Sequence, residues 1–154
     1  MKKLAIIIVL ITLCQLGKSQ YNKGIVIEPL LKTDTTSIGQ KIVYPQFAND
    51  EITIARITIP PGDSTGWHKH EFPVFAVVLE GTLTIELKHS KTLQFSKNTT
   101  FSEVINTLHN GVNKGKENVV LIGFFMGEKG KALSVHNEPE SSVRNKDANS
   151  QHKP

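Results

Sequence analysis

The sequence lacks most of the features that would identify other folds and activities. It has one cysteine, Cys14, so no disulfide can form within the chain. There is no Gly-rich phosphate-cradling loop, no serine-nucleophile motif and no pair of cysteines at zinc-finger spacing. Nucleotide-binding, serine-hydrolase and zinc-finger readings are therefore set aside. No stretch beyond Gln20 sustains an apolar period of a helix over three turns, and Pro60-Pro61-Gly62 excludes a helix where one apolar run ends. The longest apolar run, Leu4 to Leu13 with Thr12 as its one interruption, falls short of the roughly 20 residues a membrane-spanning helix needs.

The start of the chain reads instead as an export signal over residues 1–19. Lys2 and Lys3 precede the apolar run, and Gly17-Lys18-Ser19 places small residues where a signal peptidase reads, with cleavage expected after Ser19. A secreted or periplasmic protein with no permanent membrane span follows. Ile11-Thr12-Leu13-Cys14 leaves lipid anchoring at Cys14 as the alternative, although Leu13 is bulkier than the residue such a signal prefers. Losing Lys2, Lys3 and Lys18 takes the formal charge from +4 to +1, which removes the electrostatic case for a nucleic-acid partner.

A chain of 154 residues with 38% apolar residues suits one globular domain. Short runs rich in Val, Ile, Thr and Phe occur at Ile25–Ile27, Lys41–Tyr44, Ile52–Ile59, Val74–Leu79, Thr82–Leu87, Thr92–Phe95 and Val119–Met126. Separated by Gly, Pro, Asn and Asp, they predict an all-β domain, with a jelly-roll barrel as the leading architecture. Leu83, Ile85 and Leu87 alternate with Thr82, Thr84 and Glu86, which gives that strand one core face. Glu80-Gly81 reads as the tight turn of a hairpin joining it to Val74–Leu79. Residues 20–40 form an N-terminal extension with an edge strand, residues 41–136 the barrel, and residues 137–154 a polar tail expected to be disordered, with Val143 and Ala148 its only apolar residues. His89, His136 and His152 read as solvated.

Chemistry concentrates in three other histidines. His68 and His70 stand two apart in Gly66-Trp67-His68-Lys69-His70, so an extended strand presents both rings to one face. His109 supplies a third imidazole from a distant segment that enters the apolar run Val119–Met126. Three neutral imidazoles with open positions suit a divalent transition metal, Zn, Fe, Mn, Ni or Cu. Glu103, six residues before His109, is the candidate catalytic acid or base or the group that orients a ligand, the other reading being a surface carboxylate at the loop entry. Trp67, Phe75, Phe101, Phe124 and Phe125 are available as core or as pocket wall.

These residues resemble the motifs of the cupin family. The first motif runs Gly, five residues, His-x-His, three or four residues, Glu, six residues, Gly, and Gly62, His68, His70 and Gly81 stand at that spacing. The second ends His, three residues, Asn, as His109 and Asn113 do. Two departures stand out. Val74 occupies the usual glutamate position, and Val104 and Asn106 replace the Pro and Gly of the second motif. Glu71 directly follows His70 and points to the opposite face of a regular strand, so it is poorly placed to compensate.

The resemblance, closest to small exported bacterial single-domain cupins of type 2, implies a double-stranded β-helix barrel and a metal site of three histidines without a carboxylate. It also implies a small organic molecule as ligand or substrate, and is compatible with a homodimer. A metal held by neutral ligands keeps more of its charge, which favours hydrolysis, hydration or isomerisation with Zn. With Fe(II) the parallel is to the three-histidine dioxygenases among cupins. The expected function is a metal-dependent enzyme of dioxygenase or isomerase type. The alternatives are a non-catalytic small-ligand binder, or a metal-free domain that assembles through its sheets.

Overall fold

The computed structural model describes residues 24–88 and 90–136. The export signal, Cys14, His89, His152 and the tail at 137–154 lie outside them. Nine strands occur, and no helix is found among the described residues. They are β1 (Asp50–Ile59), β2 (His68–Lys69), β3 (Val74–Glu80), β4 (Thr82–Leu87), β5 (Thr92–Ser96), β6 (Thr100–Ser102), β7 (His109–Val112), β8 (Val119–Glu128) and β9 (Val135–His136). They form a four-stranded sheet in the order β1-β8-β3-β6 and a five-stranded sheet in the order β5-β4-β7-β2-β9. The fold is the expected all-β jelly roll.

Alternation dictates which side chains meet between the sheets. Val74, Ala76 and Val78 of β3, Leu83, Ile85 and Leu87 of β4, and Val119, Leu121 and Phe125 of β8 are all buried. Ile59, Val78, Leu83, Phe101, Val119 and Leu121 belong to the main apolar cluster, and Phe72, Val74 and Phe125 form a smaller one. The rings of Phe95 and Phe101 stack with centroids 3.8 Å apart.

Three expectations need correction. The segment Val74–Leu87 is not a hairpin: β3 pairs with β6 and β8, whereas β4 pairs with β5 and β7. Gly81 does have a positive φ of 70°, but a Cβ there would lie 2.6 Å from the Asn118 carbonyl oxygen. The glycine thus lets the chain press against the start of β8 and cross from one sheet to the other. Val78 instead exchanges backbone hydrogen bonds with Asn98 and Thr99, which occupy the place a hairpin partner would take. Ile25–Ile27 and Lys41–Tyr44 form no strand; the first is 54–89% exposed, and the second has one bridge, Lys41 to Thr35. Branched apolar composition does not make a strand where no neighbouring strand supplies hydrogen bonds. Finally, His109 opens its own strand β7 rather than entering β8.

Candidate metal centre

The five-stranded sheet brings the histidines together through its register. Within it β2 lies between β7 and β9, with His68 opposite His109 on one side and His136 on the other. His70 follows β2 and bridges to Ile105. The ring centroids of His68, His70 and His109 are 4.4–5.2 Å apart. All three rings are buried, and one ligand nitrogen from each lies within 4.8 Å of the other two. The three form a cluster that can hold a metal ion.

Hydrogen bonding prepares the rings for that role. The Nδ1 atoms of His68, His70 and His109 each lie 2.8 Å from a carbonyl oxygen, those of Gly66, Leu133 and Thr107 respectively. A carbonyl only accepts, so each Nδ1 carries the proton and each Nε2 keeps a free lone pair. Burial lowers His70 and His109 to about 4 and also depresses His68, so the rings are neutral at neutral pH.

Glu103 is inside the site and not at the surface. Its backbone N–H donates to the Val74 carbonyl at 2.8 Å, which places the carboxyl one strand across from the usual glutamate position. Glu103 Oε2 lies 3.6 Å from His109 Nε2, and neither atom has a hydrogen-bond partner. Two unpartnered polar atoms facing each other in a buried site fit a cation-binding role for these residues. Burial pushes the Glu103 carboxyl up to about 7. Glu71 is exposed and lies 3.6 Å from Lys69 Nζ, away from the cluster. Val74 is buried and walls the pocket without offering a ligand atom.

The cluster opens on a cavity of about 270 Å³. Of the five aromatic candidates only Phe125 lines it, T-shaped to His70 at 5.6 Å between centroids. Phe101 is core, while Trp67 and Phe124 are substantially exposed.

Three contributors escaped the sequence reading. His136, expected to be solvated, is exposed but lines the cavity, 5.6 Å from the His68 ring. The Leu133 carbonyl acts through the backbone, which no side-chain pattern reveals. Gln40 accepts from the Ile105 N–H at 3.0 Å and donates to the Ile105 carbonyl at 2.8 Å and to Thr107 Oγ1 at 3.1 Å. It thereby steadies the loop whose Thr107 carbonyl orients His109. Asn113, part of the second motif, is a loop brace: it donates to the Ile59 and Glu117 carbonyls, each at 2.8 Å.

Residues 55–125 match the family model of the cupin domain. Among solved structures, a cupin-like protein from Thermotoga maritima is similar at 18% identity, covering 61% of this chain and 71% of that one with a TM-score of 0.50. The DMSP lyase DddQ from Ruegeria pomeroyi is similar at 13% identity, covering 58% of this chain and 44% of that one, also at 0.50. A protein with a double-stranded β-helix domain from Klebsiella pneumoniae is similar at 12% identity, covering 63% and 91% with a TM-score of 0.48. The chain thus spans less than half the length of the lyase, and what it shares with the Thermotoga and Ruegeria proteins at these identities is the fold. No curated protein matches the chain. Residues 55–125 are a cupin domain.

Proposed function

Starting from a cupin domain with three converging imidazoles, we propose that this protein binds one divalent transition metal (Zn, Fe, Mn, Ni or Cu) through Nε2 of His68, His70 and His109. In this reading it acts as a metal-dependent enzyme of dioxygenase or isomerase type on a small organic molecule, in the exported setting suggested by residues 1–19. The observation that carries the proposal is the set of three Nδ1-to-carbonyl contacts at 2.8 Å, which direct three neutral donors inward. A bound ion would supply Lewis acidity toward a substrate oxygen or, as Fe(II), redox chemistry.

The residues around it have separate tasks. Gly66, Leu133 and Thr107 fix the imidazole tautomers through their carbonyls. Glu103 is the only carboxyl among the residues lining the cavity, and its position beside His109 makes it the candidate to accept or donate a substrate proton. Phe125 and Val74 exclude water from that end of the cavity. A second reading, a non-catalytic carrier, draws on the scarcity of reactive groups, since most of the remaining wall is hydrocarbon.

The test is elemental analysis of the full chain prepared anaerobically, with about one ion per chain expected. Replacing His68 and His70 together by Ala should bring this close to zero. It should also abolish the stabilisation of about 2.7 kcal/mol expected for wild type at free metal a hundredfold above Kd. Equal metal content in the two proteins would overturn the proposal. Turnover on a substrate panel, against tight retention without turnover, separates enzyme from carrier.

A further inference from the structure

The walls of the cavity change character in register from one end to the other. Along the four-stranded sheet, the row nearest His70 is Phe125 opposite Val74. The next inward-facing row is Ala55, Gly123 and Ala76, adjacent across β1, β8 and β3. Beyond it, Leu121 and Ile57 close the floor. The facing sheet repeats the sequence: His109 stands opposite Leu87, then Gly111 opposite Ile85. Four inward positions bordering the space below the imidazoles thus carry a methyl group or a hydrogen.

This space is tightly bounded. A Cβ at Gly123 would lie 2.9 Å from the Phe125 ring, and one at Gly111 would lie 3.3 Å from Thr65 Cγ2. Ser134 and His136 lie beside the imidazoles and Glu103, while the Thr65 hydroxyl borders Gly111 and already accepts its N–H at 2.9 Å. With about 270 Å³, the cavity is below the usual range of about 300–1,000 Å³ for drug-sized ligands.

We infer that the cavity takes a small monocarboxylate with a hydrocarbon body, its head at the His68, His70 and His109 cluster and its body in the space bordered by Ala55, Ala76, Gly111 and Gly123. The inference rests on the metal reading above, because the head is held by the ion. A divalent ion held by three neutral imidazoles would keep its positive charge and attract an anionic head, while the hydrocarbon floor leaves no place for a second one. A dicarboxylate or a sugar would drive a second polar group against Ile57, Ile85 and Leu121, which offer it no side-chain hydrogen-bond partner. A short acyl or aryl body meets the hydrocarbon of Ile57, Ile85 and Leu121 there.

The test uses the full chain loaded with Co²⁺, followed by its visible absorption, and a series of straight-chain monocarboxylates from acetate to octanoate. Affinity should tighten about fourfold per methylene, the burial of one CH₂ converted to a ratio, until the cavity is filled. Succinate should bind no better than acetate. Ala76→Leu should leave Co²⁺ and acetate binding unchanged while ending the series at a shorter chain; should that variant not fold, Ala55→Val serves. A series flat in chain length, or succinate matching butyrate, would overturn the inference while leaving the metal site standing. Failure of wild type to take up Co²⁺ would instead overturn the metal reading and the inference with it.

Discussion

The two ends of the barrel are made by the same strands and solve opposite problems. At one end Ile59, Val78, Leu83, Phe101, Val119 and Leu121 belong to a continuous buried cluster, sealed by the stacked Phe95 and Phe101 rings. At the other, Phe72, Val74 and Phe125 form a smaller buried cluster. There the inward positions pass to three imidazoles, a carboxyl and small residues around a cavity. β3 shows the change within one strand: Val78 fills the packed end, Ala76 belongs to the same cluster but also borders the cavity, and Val74 lies at the hollow end. The difference teaches that the site is not an addition to the core but a stretch where core packing is given up. The fold can carry orphaned polar atoms there because apolar burial elsewhere, roughly 25 cal/mol per Å², holds the sheets together.

The sharpest way to break this division of labour is Phe101→Ala. Removing the ring from the packed end should cost about 3–5 kcal/mol of stability, as for large-to-small changes in filled cores. The folded fraction should still bind metal at wild-type stoichiometry. Urea unfolding with a chelator present gives the first quantity, and elemental analysis at low denaturant the second. Loss of metal from protein that is still folded would show that the two ends are one unit.

Acid and base act on the hollow end in opposite senses. Burial lowers His70 and His109 to about 4, below an unfolded value near 6.5. The unfolded chain binds their protons first, so the metal-free fold loses stability as pH falls from about 6.5 to about 4. Glu103 is raised by burial from about 4.5 to about 7. The folded protein keeps this proton after the unfolded chain has released it, so stability is lost as pH rises through that interval. Glu103→Gln should therefore match wild type near pH 4 and exceed it at pH 8 by about 3 kcal/mol in chelator. A constant gap across this range in urea titrations would mean that Glu103 is not held protonated by its surroundings.

Much of this organisation was legible in the sequence, and what was not has a physical reason. Alternation in Thr82–Leu87 and the His68, Lys69, His70 spacing identified β4 and two members of the cluster, because a side-chain period of two is a local property. His109 was identified as the third, but its strand was misassigned, since β7 is only four residues long and exists through pairing with β2 and β4. The hairpin expected at Gly81 failed for the same reason: a glycine with positive φ serves a hairpin or a change of sheet equally well. Burial of Glu103 depends on Val74 across the ladder, a contact between segments far apart in sequence. The Leu133 carbonyl carries no residue-specific signal at all.

His136 gives the smallest effect and the finest test of the boundary between the hollow end and solvent. Its ring lies 5.6 Å from His68, yet its Nε2 contacts Ser134 Oγ at 3.2 Å, and it is absent from the set of mutually close ligand atoms. His136→Ala should therefore change stability by less than about 0.5 kcal/mol, as at most exposed positions. The role of β9 at the metal centre runs through the chain just before it, where the Leu133 carbonyl orients His70, and that contact survives the substitution. Metal affinity should accordingly fall by less than the roughly 10–100-fold that follows loss of a partner orienting a ligand. Competition with a chromophoric chelator measures it. A loss within or above that range would move His136 from the rim of the cavity into the metal site itself, making the exposed end of β9 part of the cluster.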